Sequence, residues 1–223
     1  MKRLLAAACV FASCAFAGSL SAEPVSVDRA VVRFEAPETG GARRPRFVFE
    51  RELSFEARLE ALSDPDRGSL GDAPFRDRHI TAALDRHIAE TILGALRIDP
   101  EPSPAELEHQ SQAAHRMLSD RAGGEEALDT ARRAEGISER EFARLLLQKA
   151  RASLYLDRMV TPMLEPSEAE LRSLHKSTNT PFRGAPFDTI RPALLRWYVS
   201  RRLNAALASF YENARSRIDV TVL

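Results

Sequence analysis

Apolar residues recur every four positions through Ile80, Leu84, Ile88, Ile92 and Leu96, a spacing that winds slowly round a helix and lays one apolar stripe along it. It predicts a helix over 75–97. A shorter one is expected over 53–62, with the Pro/Gly/Asp-rich stretch 63–74 as the connection. Three later helix starts carry capping boxes, Ser103-Pro104-Ala105-Glu106, Ser138-Glu139-Arg140-Glu141 and Ser167-Glu168-Ala169-Glu170. In each, the serine oxygen accepts a free backbone N–H while the glutamate reaches back to the serine amide. Pro104 falls at the first helical position, where its missing donor costs nothing. A long helix over 139–164 carries Leu145-Leu146-Leu147, three apolar residues spread over roughly 200° of its surface. It must meet partners on two sides or leave apolar surface open. A last helix spans 188–216, with Pro192 in its first turn.

The two ends of the chain read differently. Val25, Val27, Val31, Val32 and Phe34, then Phe47-Val48-Phe49, are β-rich runs on either side of a turn-rich, basic loop, and predict a hairpin over 25–50. Ile218, Val220 and Val222 alternate with Asp219 and Thr221, the period of a half-buried strand. A lone hairpin is marginally stable, so the terminal strand is expected to pair with it. The fold class is mainly α: a multi-helix core with a small antiparallel sheet formed by the N-terminal hairpin and the C-terminal strand.

Ahead of the hairpin, Lys2 and Arg3 precede an apolar run from Leu4 to Ala17. The run is shorter than the about 20 residues a spanning helix needs. Its basic start and small-residue exit describe a secretory signal peptide over 1–22, with cleavage after Ala22 preferred over Ala17. Secretion into the periplasm and a single domain over 23–223 follow, divided into the hairpin 25–50, a helical core 53–176 and a closing segment 187–223. Cleavage would remove Cys9 and Cys14, both of the chain's cysteines. A rival reading is a lipoprotein box ending at Cys14, although Phe11 stands where such boxes usually carry leucine.

Of the 223 residues, Lys plus Arg and Asp plus Glu number 32 each, so no bulk charge points to nucleic acid or an anionic membrane. The search for chemistry returns little. His79, His87, His109, His115 and His175 include no HExxH and no i,i+4 pair, and His79 and His87 read as solvated surface histidines. Acidic residues alternate with arginine at short spacing, as on solvated, ion-paired faces. No GxGxxG, GxxxxGK[ST] or GxSxG occurs, and no catalytic residue, metal site or cofactor is expected. What stands out is aromatic and thioether surface: Phe142, Leu146, Tyr155, Met159 and Met163 on one helix, and Trp197, Tyr198 and Phe210 on another. Such side chains repack around different partners, and part of this set is expected to line an open groove.

The order of elements resembles the core module of the SurA periplasmic chaperones, relatives of the parvulin-type peptidyl-prolyl isomerases. The resemblance runs through Val27-Asp28-Arg29-Ala30-Val31-Val32, the helix from Arg78-His79-Ile80 to Ile92-Leu93, and Pro102-Ser103-Pro104-Ala105-Glu106-Leu107. It continues through Gly136-Ile137-Ser138 with Glu141-Phe142, Val160-Thr161-Pro162, Pro166 to Leu171, Phe187-Asp188 with Ile190-Arg191, and Ile218-Asp219-Val220. It covers most of residues 25–223 in short motifs. It implies a chaperone core that holds unfolded or extended polypeptides, outer-membrane protein precursors among them. A parvulin domain of about 90 residues usually sits between the closing segments. Here only Leu174 to Pro186 joins them, so isomerase activity is not expected. The runner-up is a secreted adaptor that binds one folded partner.

Overall fold

The computed structural model describes residues 28–66, 73–177, 180–182 and 184–223. The predicted signal peptide with its cleavage sites, Val25 and Val27, and part of the 63–74 connection lie outside the described residues. Strands β1 (Ala30–Glu35) and β2 (Arg46–Phe49) form the hairpin, and helix α1 (Glu50–Leu62) follows β2 without a break. Then come α2 (Asp77–Ala95), α3 (Pro104–Ala122), α4 (Glu125–Ala134) and α5 (Glu139–Tyr155). Next are α6 (Thr161–Leu164), α7 (Glu168–Lys176), α8 (Phe187–Arg215) and β3 (Asp219–Val222). The chain is mainly helical, with a small antiparallel sheet in the order β2-β1-β3.

The local rules hold where they are strong. Ser103, Ser138 and Ser167 each accept the amide of the glutamate three residues on, and each glutamate carboxylate accepts the serine amide in return. Helix α5 ends earlier than its apolar pattern suggests. Leu156–Val160 widens into a π turn before α6 begins. Pro162 accounts for this: it has no N–H to give, and its ring would strike the carbonyl four residues back in an unbroken α-helix.

Helix α1 sits at the centre and splits the core in two. Leu53 and Ala57 pack with Val32, Phe34, Val48, Ala83, Ile88 and Ile92 under the sheet, where Ile80 and Leu84 also gather, as the four-residue row on α2 requires. Phe55 and Leu59 face the other way, into Leu118, Leu128, Phe142 and Leu145 of α3, α4 and α5 and Ile137 of the α4–α5 connection. Of the leucine triplet, Leu145 is buried, Leu146 half-buried and Leu147 exposed. The α6–α7–α8 corner is a smaller assembly holding Leu171 and Leu194, both fully buried.

The closing strand pairs as expected, with Val32 opposite Val222 and Phe34 opposite Val220. Its burial is not as expected: Val220 is 42% and Val222 79% exposed, although Val32 and Phe34 beside them are buried. Among the described residues of the closing segment, Ile218 and Phe210 pack against the core beneath the sheet. The hairpin loop is ordered by two short 3-10 turns, with Thr39 Oγ1 donating to the Ala36 carbonyl at 3.0 Å and Gly40 in the left-handed region at φ 107°. Arg217, just before β3, pairs with Glu38 of that loop at 3.2 Å.

Removing residues 217–223 is therefore expected to cost about 2 kcal/mol, from the β1 ladder and the half-buried Ile218, with nearly nothing from the two valines. Thermal melting checks it in two variants. The truncated chain should melt several degrees lower, and Val222→Thr should melt as the parent does.

Candidate functional site

On a helix of about 100° per residue, Glu52, Glu56 and Glu60 of α1 form one row. Apolar rows flank it on both sides, Leu53–Ala57–Ala61 and Phe55–Leu59, while Arg51, Ser54 and Arg58 hold the outward face. The acidic row therefore points into the protein. Lys149 of α5 meets it with its Nζ 2.8 Å from Glu56 Oε1 and 2.6 Å from Glu90 Oε2 of α2. His87 Nδ1 lies 3.1 Å from Glu56 Oε2 and 3.9 Å from Glu52 Oε1. Arg144 closes on Glu52 Oε2 at 2.9 Å, and Glu60 takes Arg86 of α2 and Arg121 of α3.

Burial works against the charges of Lys149, Glu56, Glu90 and His87, and the partners outweigh it at all but Glu90. Burial opposes the Lys149 ammonium, but Glu56 and Glu90 outweigh it and hold the group above the usual lysine range. Burial likewise opposes the Glu56 carboxylate, which Lys149 and His87 keep well below the usual carboxylate range. Glu90 goes the other way, raised by its burial against the pull of Lys149 and by the nearby charge of Glu56. His87 is raised: burial disfavours its charge, but the hydrogen bond to Glu56 and the charges of Glu56 and Glu52 prevail. With His87 protonated, Arg144, Lys149 and His87 face Glu52, Glu56 and Glu90, and beside them Glu60 takes two arginines.

His79 and His87 are thus buried, and their reading as solvated surface groups is corrected. His87 stands about 20° round α2 from Ile80, at the margin of the apolar stripe. His79 is held by the first turn of α2: its Nδ1 accepts the Arg76 amide at 3.0 Å and its Nε2 meets Asp64 at 2.9 Å. Lys149 carries a local signal of its own, since it falls in the buried row Phe142, Leu145, Lys149, Ala152 at spacings of three and four. The expectation that acidic residues sit on solvated faces fails for Glu52 and Glu56. A carboxylate–lysine–histidine group suggests catalysis, yet a cavity of about 350 Å³ reaches only Glu52 and Arg144 at the edge of the cluster, and the one against Lys149, lined also by Glu56, Glu60, Arg86 and Arg121, measures about 10 Å³. That is room for one water at most. The cluster is a structural joint between α1, α2 and α5.

The eight apolar candidates fall into separate places. Phe142 is 6% exposed and packs edge-on to Phe55 with ring centres 6.0 Å apart; it belongs to the core and leaves the groove set. Leu146 packs half-buried on that same core. Phe210 packs under the sheet, about 20 Å along α8 from Trp197. The other five are spread over α5, the π turn, α6 and α8. Tyr155 ends α5, Met159 sits in the π turn, and Met163, 72% exposed, is on α6, which packs on α8 with its Trp197 and Tyr198. Arg201 lies 4.9 Å over the Trp197 ring and Arg202 5.6 Å over Tyr198, while Phe182 meets Trp197 edge-on at 6.5 Å. None of residues 195–210 of α8 is buried. This end of the molecule presents half-open aromatic and thioether surface under displaceable arginine heads.

Polar bonds anchor it. Arg158 of the π turn donates to the Pro100 carbonyl at 2.8 Å and pairs with Glu106, and Arg151 donates to the Gly94 carbonyl at 3.1 Å. Arg43 and Arg44 of the hairpin loop and Arg46 at the start of β2 are exposed and far along the chain from this surface. Among the described residues no group of three or more metal-ligating side chains occurs, and no helix is long and apolar enough to cross a membrane. Comparison with protein-family models, with curated proteins and with solved structures finds no match for this chain.

Two outcomes follow from the buried cluster. Lys149→Met should destabilise the fold by about 3–5 kcal/mol, because Glu56 and Glu90 would be left buried without their cation. Since folded His87 holds its proton more tightly than the unfolded chain does, its contribution is complete below about pH 6.5 and is lost as pH rises through the raised folded value. Denaturant melts across pH 6–9 should show stability falling with pH, and His87→Gln should flatten that slope.

Proposed function

We propose that this chain is a secreted, holdase-type chaperone that keeps unfolded or outer-membrane-destined polypeptides from aggregating, without cofactor and without isomerase activity. The observation that supports it best is the half-open surface of Tyr155, Met159, Met163, Trp197 and Tyr198, set beside a body whose centre is locked by ion pairs. Thioether and aromatic side chains on a turn widened by Pro162 adapt to unlike sequences. Binding the unfolded form withdraws it from aggregation by mass action alone. The resemblance to SurA chaperones points the same way, and the short span from Leu174 to Pro186 leaves no room for a parvulin domain.

The test is light scattering from several chemically unrelated unfolded clients, using protein that begins at Glu23. Suppression of all of them is expected. Suppression of one alone would favour the adaptor reading, and suppression of none would overturn the proposal. A proline-peptide assay should show no acceleration of cis–trans exchange.

Tyr155→Ser and Met159→Ser should each weaken client binding several-fold, with little change in melting temperature and little dependence on salt. A large stability loss would assign these side chains to packing, and binding that collapses in salt would move the site to Arg43, Arg44 and Arg46.

A further inference from the structure

The free edge of β3 carries a second recognition feature. Leu223 donates its amide to the Val31 carbonyl, which fixes the ladder: residues 219, 221 and 223 bond to β1. The N–H and C=O of Val220 and Val222 therefore point away from β1, and among the described residues no strand lies beyond β3. The side chains of Val220 and Val222 share the face of buried Phe34 and Val32, yet Val220 stays 42% and Val222 79% exposed. On the opposite face Asp219 stands directly across from Glu35, which Arg33 engages; among the described residues Asp219 has no basic partner.

We propose that this edge accepts an extended polypeptide by strand addition, its apolar residues covering Val220 and Val222 and a basic residue lying opposite Asp219. The reading rests on the proposed client-binding function and adds a second contact to it. The backbone row demands a strand, the bare valines demand apolar side chains on one face, and the unpaired acid demands a cation on the other. A second copy of this chain fits poorly. In antiparallel self-pairing that keeps the core faces together, Asp219 meets Leu223 or Thr221, never a cation. A four-residue edge of about 13 Å also falls well short of the about 1,000 Å² that a stable dimer buries.

The probe is a fluorescent, end-capped peptide Thr-Val-Lys-Val-Thr-Val, with a Glu-for-Lys version as its counterpart. Fluorescence anisotropy should show the lysine peptide bound about threefold more tightly, the scale of one cross-strand ion pair. Asp219→Lys should reverse the preference, and Val220→Pro, which removes an outward N–H, should abolish binding of both. If Val220→Pro melts early, the charge reversal still decides the matter. Binding of neither peptide would overturn this proposal while leaving intact any suppression of client aggregation. Binding indifferent to Asp219→Lys but lost in Met159→Ser would place the peptide on the α5–α8 surface and overturn it too. A dimer in light scattering that Val220→Pro dissolves would make the occupant a second copy and do the same.

Discussion

Three carboxylates on one face of a buried helix must be neutralised, and the rest of the fold is arranged around that necessity. Glu52, Glu56 and Glu60 draw Arg144 and Lys149 from α5, His87 and Arg86 from α2, and Arg121 from α3. Each of those helices must lie at a fixed height and rotation for its cation to reach the row. Apolar packing on either side of α1 supplies most of the favourable free energy and tolerates sliding. Charge pairing in a low-dielectric interior tolerates little, because a displaced partner leaves a buried ion alone. The acidic row thus acts as a register for helices that hydrophobic contact holds together.

This division explains what could be read from the sequence. The capping boxes, the four-residue row on α2 and the period-2 pattern of β3 are local signals, set by neighbours a few positions away, and each appears in the structure where it was expected. The buried charges depend on partners from different helices. Lys149 and Glu56 are 93 residues apart, and no local pattern announces their meeting. A trace of it was present: the glutamate row lies between two apolar rows, while the outward arc of α1 is already occupied by Arg51, Ser54 and Arg58. The exposure of Val220 and Val222 was hidden for a related reason, since alternation tells which way a strand faces and says nothing of how far the cover beneath it extends. For the apolar set, spacing could not separate Phe142 from Met163, because both are large and apolar and only the third dimension buries one of them.

The molecule accordingly combines two kinds of side-chain chemistry. Around α1 the side chains are paired, close and specific. At the α5–α8 end they are soft and half-covered, with guanidinium groups resting on the Trp197 and Tyr198 rings. A cation over a ring keeps the aromatic face solvated in the free protein and can swing aside at small cost. The uncovered valines of β3 add the backbone's own hydrogen-bonding capacity at a different place on the same chain.

The pairing of β1 with β3 has a bearing on how the protein comes into being. β1 finds β2 across the loop 36–45, but its other neighbour emerges from the ribosome about 190 residues later. Contacts so distant along the chain form late, after the cost of closing a long loop has been met. Throughout synthesis one side of the central strand therefore stays open, and the sheet is sealed only when the far segment arrives. A polypeptide built this way keeps its own sheet incomplete until β3 has been made.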